Sequence, residues 1–367
     1  MNANDLERKI VVIGAGPAGA KAAITIADLG GEVLLIDENP YVGGQLVKQT
    51  HKFFGSKELY CGLRGFEIAK ILEEEIRKRD NIELLLNSCA VGLYLEDNKK
   101  VIAVVNEEKL IKVTCDVLIL ATGAYENFLL FENNDLPGVY GAGAVQTLVN
   151  QYGVRPGRRC LMVGSGNIGL IVAYQLLQAD IEVAAVIEIL PKVTGWYVHY
   201  AKLKRCGVPI LTSHTIVKAI GKDYVEGAVI AKVNKNFKII KGSEKRLKVD
   251  FICLAVGLTP FTDLLWQIDA QLKYIPELGG FVPYYDENYE TSIPNIFVCG
   301  DVAGIEEAST AMLEGEIAGI SAYEKVYGET EKTKELKEER KKYLSLLRKS
   351  PYSKKILVGL KKLRSGN

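Results

Sequence analysis

Two stretches of this chain have the residues of a phosphate cradle. VVIGAGPAGA (11–20) and LMVGSGNIGL (161–170) share one spacing: Gly14, Gly16 and Gly19 in the first match Gly164, Gly166 and Gly169 in the second. In such a turn the first glycine makes the tight bend and the second lets the backbone approach a pyrophosphate. The third lets a helix pack close on the strand. That helix starts at Pro17 and Ala18 in one copy and at Asn167 and Ile168 in the other. Its free N–H groups and partial positive charge face the phosphates. The next apolar run, EVLLI, ends at Asp37, 23 residues after Gly14, with Glu38 beside it. A carboxylate there accepts hydrogen bonds from ribose hydroxyls and repels a 2′-phosphate. A glycine turn alone is weak evidence for a dinucleotide site; strand, turn, helix, second strand and terminal acid together are strong.

The second copy departs from the first at its acid. EVAAVI ends in Glu188, 24 residues after Gly164, and Ile187 stands in the slot aligned with Asp37. Glu188 either reaches a ribose through a local bulge or is a surface acid at a strand end. No arginine follows it to hold a 2′-phosphate, which favours NAD over NADP, with another adenine nucleotide or an empty pocket as alternatives.

These residues need elements to hold them. TCDVLILATGA (114–124) is an apolar strand ending in Ala121, Thr122 and Gly123; VDFICLAVG (249–257) is its counterpart in the second copy, ending in Val256 and Gly257. TSIPNIFVCGDVAG (291–304) is a strand ending in Gly300 and Asp301, and a helical pattern follows from Ala308, Ser309 and Thr310. The reading is an α/β chain with two nucleotide-binding folds, the second inserted in the first. The first spans 1–122 and 250–328, the insert 123–249. Residues 329–367 form a basic helical tail, with thirteen Lys/Arg against five Asp/Glu. In its last part Ile356, Leu360 and Leu363 share a face. That face could pack on the chain's own body, dock a partner, or touch an anionic membrane.

Composition narrows the class. The chain has 367 residues, 48% of them hydrophobic, and net charge +1. No apolar run reaches the ~18 residues of a membrane span, and MNANDLERKI has no apolar signal segment. The expectation is a cytoplasmic protein, peripheral at the inner membrane face if the tail binds lipid. No aromatic residue interleaves the charges of the short basic helix, 354–364, as a nucleic-acid surface would require. The seven cysteines lie at least 26 residues apart, which excludes a CxxC pair and any short-spaced metal cradle; no metal site is read. His199 and His214 have no partner motif.

The Ala-Thr-Gly and Gly-Asp strand ends, set beside the two glycine turns, resemble the FAD/NAD-linked two-dinucleotide-domain flavoproteins, which include the pyridine nucleotide-disulfide oxidoreductases. The resemblance implies Rossmann-like domains in thioredoxin reductase-like order and FAD in the first. Gly300 and Asp301 would close the FAD site, Asp301 on the ribityl chain. The helix from Ala308 would face the flavin pyrimidine. Gly43, Gly44 and Gln45 of YVGGQLVKQTHKFFG (41–55) would lie against the isoalloxazine ring. Lys48 and His51 follow as candidates to stabilise reduced flavin or, for His51, to move a proton; alternatively they are a loop lysine and a hydrogen-bonded histidine. The stretch 41–55 has no cysteine just after Gly44, where the glutathione reductase type has two, so a disulfide relay is not expected.

GGQLVKQTHKFFG, LPGVYGAGAVQTLVNQYGVRPGRR (136–159) and CGDVAGIEEASTAMLEGEIAG (299–319) resemble one branch in particular. It comprises the alpha-type subunits of heteromeric sarcosine oxidases, hydrogen cyanide synthase, opine oxidases and dye-linked amino-acid dehydrogenases. That resemblance implies an electron-transfer subunit in a hetero-oligomer. Its partner would be an amino-acid-oxidase-like flavoprotein, with a small iron–sulfur subunit beside them, since no cysteine follows Cys299. Two rivals remain: a free-standing NADH-dependent reductase feeding ferredoxin, rubredoxin, a quinone or a dye, and a scaffold holding a structural adenine nucleotide.

Overall fold

A computed structural model describes residues 4–97, 99–107 and 109–365. The chain divides into two compact units. One takes residues 1–47, 52–125 and 259–367; the other takes 48–51 and 126–258.

The first unit is built on a seven-stranded sheet. Its parallel part runs Ile82–Leu85, Val33–Ile36, Asn4–Ile13, Lys109–Leu120, with Ile296–Val298 added on Lys109–Leu120. Lys99–Asn106 and Ser88–Glu96 extend it antiparallel. The stretches Ile10–Ile13, Val33–Ile36, Val117–Leu120 and Ile296–Val298 are apolar and buried on both faces, as strands covered by helices on each side must be. Two of those helices, Pro17–Asp28 and Ala308–Tyr327, touch backbone to backbone. A Cβ on Gly315 would stand 2.0 Å from the Ala18 carbonyl oxygen, and one on Gly319 2.7 Å from that of Ala22. This contact ties the helix after the first glycine turn to the helix after Gly300–Asp301.

The second unit repeats the plan. Its parallel sheet runs Ile210–Thr212, Glu182–Glu188, Arg159–Val163, Phe251–Leu254, Val139–Gly141. A three-stranded antiparallel sheet, His214–Ile220, Gly227–Lys232 and Lys245–Leu247, lies in the same unit. Because Phe251–Leu254 pairs within this sheet, the second unit runs past residue 249 to Leu258. It begins at Glu126, three residues beyond the sequence-based boundary.

The tail belongs to the first unit. Glu331–Leu347 is capped by Thr330, whose hydroxyl accepts from the Thr333 N–H. Lys354–Arg364 follows and buries Leu360 and Leu363 in the first unit's core. Gly359 is needed there, since a Cβ would come within 2.6 Å of the Leu278 side chain. Lys362 pairs with Glu277, and Lys273 Nζ donates to the carbonyls of Lys362 (2.7 Å) and Ser365 (3.1 Å). Of the three roles open to the apolar face, packing on the chain's own body is the one it has. The docking and membrane readings lose the face they needed. Deleting residues 351–367 removes two buried leucines worth roughly 3–6 kcal/mol together, so it should lower the melting temperature by about 10 °C. Calorimetry of the truncated chain checks this.

Candidate functional site

The two glycine turns are built alike, bond for bond. In the first unit the Gly14 N–H bonds the Ile36 carbonyl, Ala121 N–H that of Ile13, and Gly43 N–H that of Ala15, each at 2.8 Å. In the second the matching bonds are Gly164 to Ile187, Ala255 to Val163 and Gly195 to Ser165, again each at 2.8 Å. A Cβ on Gly19 would stand 1.8 Å from the Gly14 carbonyl oxygen; on Gly169 it would stand 2.3 Å from that of Gly164. These glycines are demanded by backbone packing.

Gly16 is not. Its φ is −66°, which any residue adopts, and a Cβ there would meet nothing within 4 Å. Gly166 has the same φ, and its nearest neighbour would be the Thr194 hydroxyl at 4.0 Å. Each residue is the N-cap of its helix, and neither helix start has a side-chain cap. Open space beside uncapped N–H groups is what a pyrophosphate fills. The residues therefore fit FAD in the first unit and a dinucleotide in the second.

The acids also correspond. Asp37 Oδ2 accepts from the Ala15 N–H at 2.6 Å, and its Oδ1 accepts from Asn39 N–H and Nδ2 at 2.8 and 2.9 Å. Glu188 Oε2 accepts from the Ser165 N–H at 3.0 Å and hydroxyl at 2.6 Å, and its Oε1 from the Leu190 N–H at 3.0 Å. The extra residue before Glu188 is absorbed by a bulge. Val183 pairs with Cys160 but Ala185 with Leu161, leaving Ala184 out of register. Ile187 then faces Val163 as Ile36 faces Ile13, and the acid comes next in both units. Glu188 is buried, so it is not a surface acid. A carboxylate has about four acceptor positions, so each of these acids has about one left for a ribose hydroxyl. Glu38 is exposed at the end of the first acid's strand, where a second carboxylate can serve the ribose. Its counterpart, Ile189, cannot.

The remaining first-unit candidates gather at the same sheet edge. Cys299 N–H bonds the Leu120 carbonyl, which sets Gly300 beside Ala121 and Thr122. Thr122 Oγ1 donates to the Phe261 carbonyl at 2.7 Å, and Gly123 has φ +77° with open space at its Cβ position. Gly44, with φ +51°, would bring a Cβ within 2.9 Å of Gly16 Cα, while Gln45 is exposed. Asp301 accepts a long bond from the Glu306 N–H at 3.4 Å. Burial, with the carboxylates of Glu306 and Glu307, pushes its carboxyl up to about 7. A carboxyl displaced in this way is a functional-site candidate. Ala308 and Ser309 are half-buried, and Thr310 donates back to the Glu307 carbonyl at 2.6 Å.

Lys48 and His51 belong to the second unit. Lys48 Nζ donates to the Gly143 carbonyl at 3.1 Å and to Thr147 Oγ1 at 3.4 Å; burial lowers its pKa against the pull of Glu126. His51 lies edge-on to His199, 6.3 Å between centroids. Burial, His199 and Lys202 push it down to about 4. Its ring is neutral near pH 7, so it offers no fixed positive charge there. His199 stacks on Trp196, and His214 Nδ1 bonds the Thr212 carbonyl at 2.7 Å. In the second unit Asn167 Oδ1 accepts from the Trp196 N–H at 2.8 Å, Ile168 is exposed, Val256 is half-buried against the unit's core, and Gly257 is exposed at the strand end. Among the described residues no group of three or more His, Cys, Asp or Glu side chains could hold a metal, and no helix is long and apolar enough to cross a membrane.

Sequence reasoning missed the loop Thr194–Trp196, the second unit's version of Val42–Gly44. A signal existed: Pro40 and Pro191 each stand three residues after the aligned acid.

Family comparison decides what this doubled cradle belongs to. The model for pyridine nucleotide-disulphide oxidoreductases matches residues 8–315. The chain belongs to that family. It is accordingly an FAD-dependent oxidoreductase. Its relatives include the sarcosine oxidase alpha subunit of Rhizobium meliloti (strain 1021), 33% identical over 83% of this chain and 29% of that one. They also include the hydrogen cyanide synthase subunit HcnB of Pseudomonas protegens, 27% identical over 85% of this chain and 69% of that one. The chain thus spans about a third of the length of the sarcosine oxidase alpha subunits it matches. The fold is shared with T. acidophilum thioredoxin reductase, TM-score 0.72, 21% identical over 87% of this chain and 99% of that one. The thioredoxin reductase-like order expected from sequence is the order found.

Proposed function

We propose that the chain is the electron-transfer subunit of a multi-subunit amine or amino-acid dehydrogenase or oxidase, holding FAD in its first unit and NAD or another adenine nucleotide in its second. The reading includes an amino-acid-oxidase-like flavoprotein partner, a small iron–sulfur subunit and a cytoplasmic setting. The observation that carries it is the duplicated cradle, with open space at Gly16 and at Gly166, in a chain whose relatives are named as enzyme subunits. Flavin supplies hydride and single-electron chemistry when bound. The chain's own residues hold it: Gly14, Gly16 and Gly19 with the Pro17 helix for the pyrophosphate, Asp37 and Glu38 for the ribose, Gly300 and Asp301 for the ribityl chain. Purification with a co-expressed oxidase-like partner tests the assembly, and flavin content of about one per chain tests the first site.

A second reading is favoured by the bulge that sets Glu188 where Asp37 stands. A pocket so tuned suits NADH as an electron donor. On this reading Glu188→Ala should weaken NADH binding roughly ten- to a hundred-fold while FAD stays, the loss of one charge-assisted hydrogen bond. Titration calorimetry with NADH measures it. Unchanged affinity would remove Glu188 from the second site. Bleaching of the flavin on anaerobic NADH addition would mark a reductase, and bound nucleotide without bleaching would mark a structural one.

A further inference from the structure

We propose that Arg348, in the C-terminal tail, is a positioning residue of the FAD site. The inference rests on the reading of Gly300–Asp301 as the flavin-closing segment. Arg348 caps the Glu331–Leu347 helix and its side chain is only 8% exposed. Its guanidinium grips two acids that follow that segment, Glu306 and Glu314. Nη2 donates to Glu306 Oε1 and to Glu314 Oε1, each at 2.5 Å, and Nε donates to Glu306 Oε1 and Oε2 at 3.0 and 3.2 Å. Nη1 reaches the Tyr289 hydroxyl at 3.4 Å, and that hydroxyl donates to Glu314 Oε1 at 3.1 Å.

The acids carry the grip to the site. Glu314 Oε2 accepts the Gly300 N–H at 2.8 Å. Glu306 lies in the turn between Asp301 and the Ala308–Tyr327 helix, and its N–H points to Asp301 Oδ1 at 3.4 Å. One guanidinium therefore sets the distance between the Gly300–Asp301 turn and the start of that helix. Two carboxylates share a single cation, and burial raises Glu314 to about 7 even with Arg348 beside it. A buried charged cluster is a poor device for stability alone, because apolar side chains of the same volume do as well or better. Its planar, forked geometry is a good device for fixing position.

The test uses the full chain in four forms: wild type, Arg348→Met, Arg348→Lys, and Arg348→Met with Glu306→Gln and Glu314→Gln. The triple variant removes the orphaned acids and keeps the experiment interpretable if Arg348→Met alone fails to fold. Thermal stability of the apoprotein, FAD affinity, and the visible spectrum and midpoint potential of the bound flavin are measured for each. The triple variant should recover apoprotein stability yet bind FAD roughly ten- to a hundred-fold more weakly than wild type, with a shifted spectrum, as when a supporting shell is lost. Arg348→Lys should fall between. Wild-type affinity, spectrum and potential in the triple variant would overturn the proposal, leaving Arg348 a structural residue. Failure of the underlying reading looks different: Asp301→Ala would then keep full flavin whatever Arg348 variants do.

Discussion

The Gly16→Val chain should fold with near-wild-type stability and purify without its yellow colour. A Cβ at this position meets nothing within 4 Å, and its φ of −66° with ψ of −177° is extended backbone that valine favours. The change should move apoprotein stability by no more than about 0.5–1 kcal/mol. The added isopropyl group would stand in the space left for the pyrophosphate, displacing it from the Pro17 helix N–H groups. Losing those bonds should cost roughly 3–4 kcal/mol, or a few hundred-fold in FAD affinity. Gly19→Val is the control with the opposite outcome. Its Cβ would sit 1.8 Å from the Gly14 carbonyl oxygen, so helix and strand must separate and the chain should be insoluble. Calorimetry of the apoproteins and titration with FAD distinguish the two. A Gly16→Val protein that binds FAD as wild type does would show that the cradle is not where the flavin pyrophosphate lies.

That contrast shows what the sequence can and cannot convey. The glycine spacing predicts both turns because part of the constraint is local: Gly19 and Gly169 clear the carbonyls of Gly14 and Gly164, five residues away, while Gly14 and Gly164 clear those of Ala121 and Ala255 at the end of a neighbouring strand. Strand ends such as Ala121–Gly123 and Gly300–Asp301 are legible for the same reason, an apolar run followed by small residues. The spacing of Glu188 is misleading because register is set by the neighbouring strand. Only pairing with Arg159–Val163 shows that Ala184 is bulged out and that the acid lands on the Ser165 N–H. Lys48 and His51 follow the Gly43–Gly44 turn directly in sequence, yet their polar contacts are made with residues about a hundred or more positions away. Arg348 is 34 residues from Glu314 and 42 from Glu306, in a stretch whose charge reads as a solvated helix. Nothing in its neighbours marks Arg348, among thirteen tail cations, as a buried one.

The isolated chain should not oxidise an amino acid or secondary amine at a useful rate, and activity should appear only with an oxidase-like partner. Hydride transfer from an amine needs a closed pocket over the flavin and a group that fixes the substrate carboxylate. Arginine does this best, because its fork matches both oxygens. The sequence offers Gln45, Lys48, His51 and Arg64 near the GG turn. Gln45 is exposed, and Lys48 Nζ is held by Gly143 and Thr147. His51 is neutral near pH 7. Arg64 is the N-cap of the Gly65–Arg77 helix, where its N–H bonds Glu67 Oε2 at 2.6 Å. Arg348, the arginine buried closest to the Gly300–Asp301 segment, is already committed to Glu306 and Glu314. None of these is a free fork beside a pocket. Assay of the purified, flavin-loaded chain against proline, sarcosine and a panel of amino acids, with an artificial acceptor, is the direct measurement. Turnover below ~0.01 s⁻¹ alone and above ~1 s⁻¹ with the co-expressed partner is the expected pair of results, the latter within the ordinary enzyme range. Turnover of ~1 s⁻¹ by the chain alone would place the amine chemistry on this subunit and end the division of labour proposed for it.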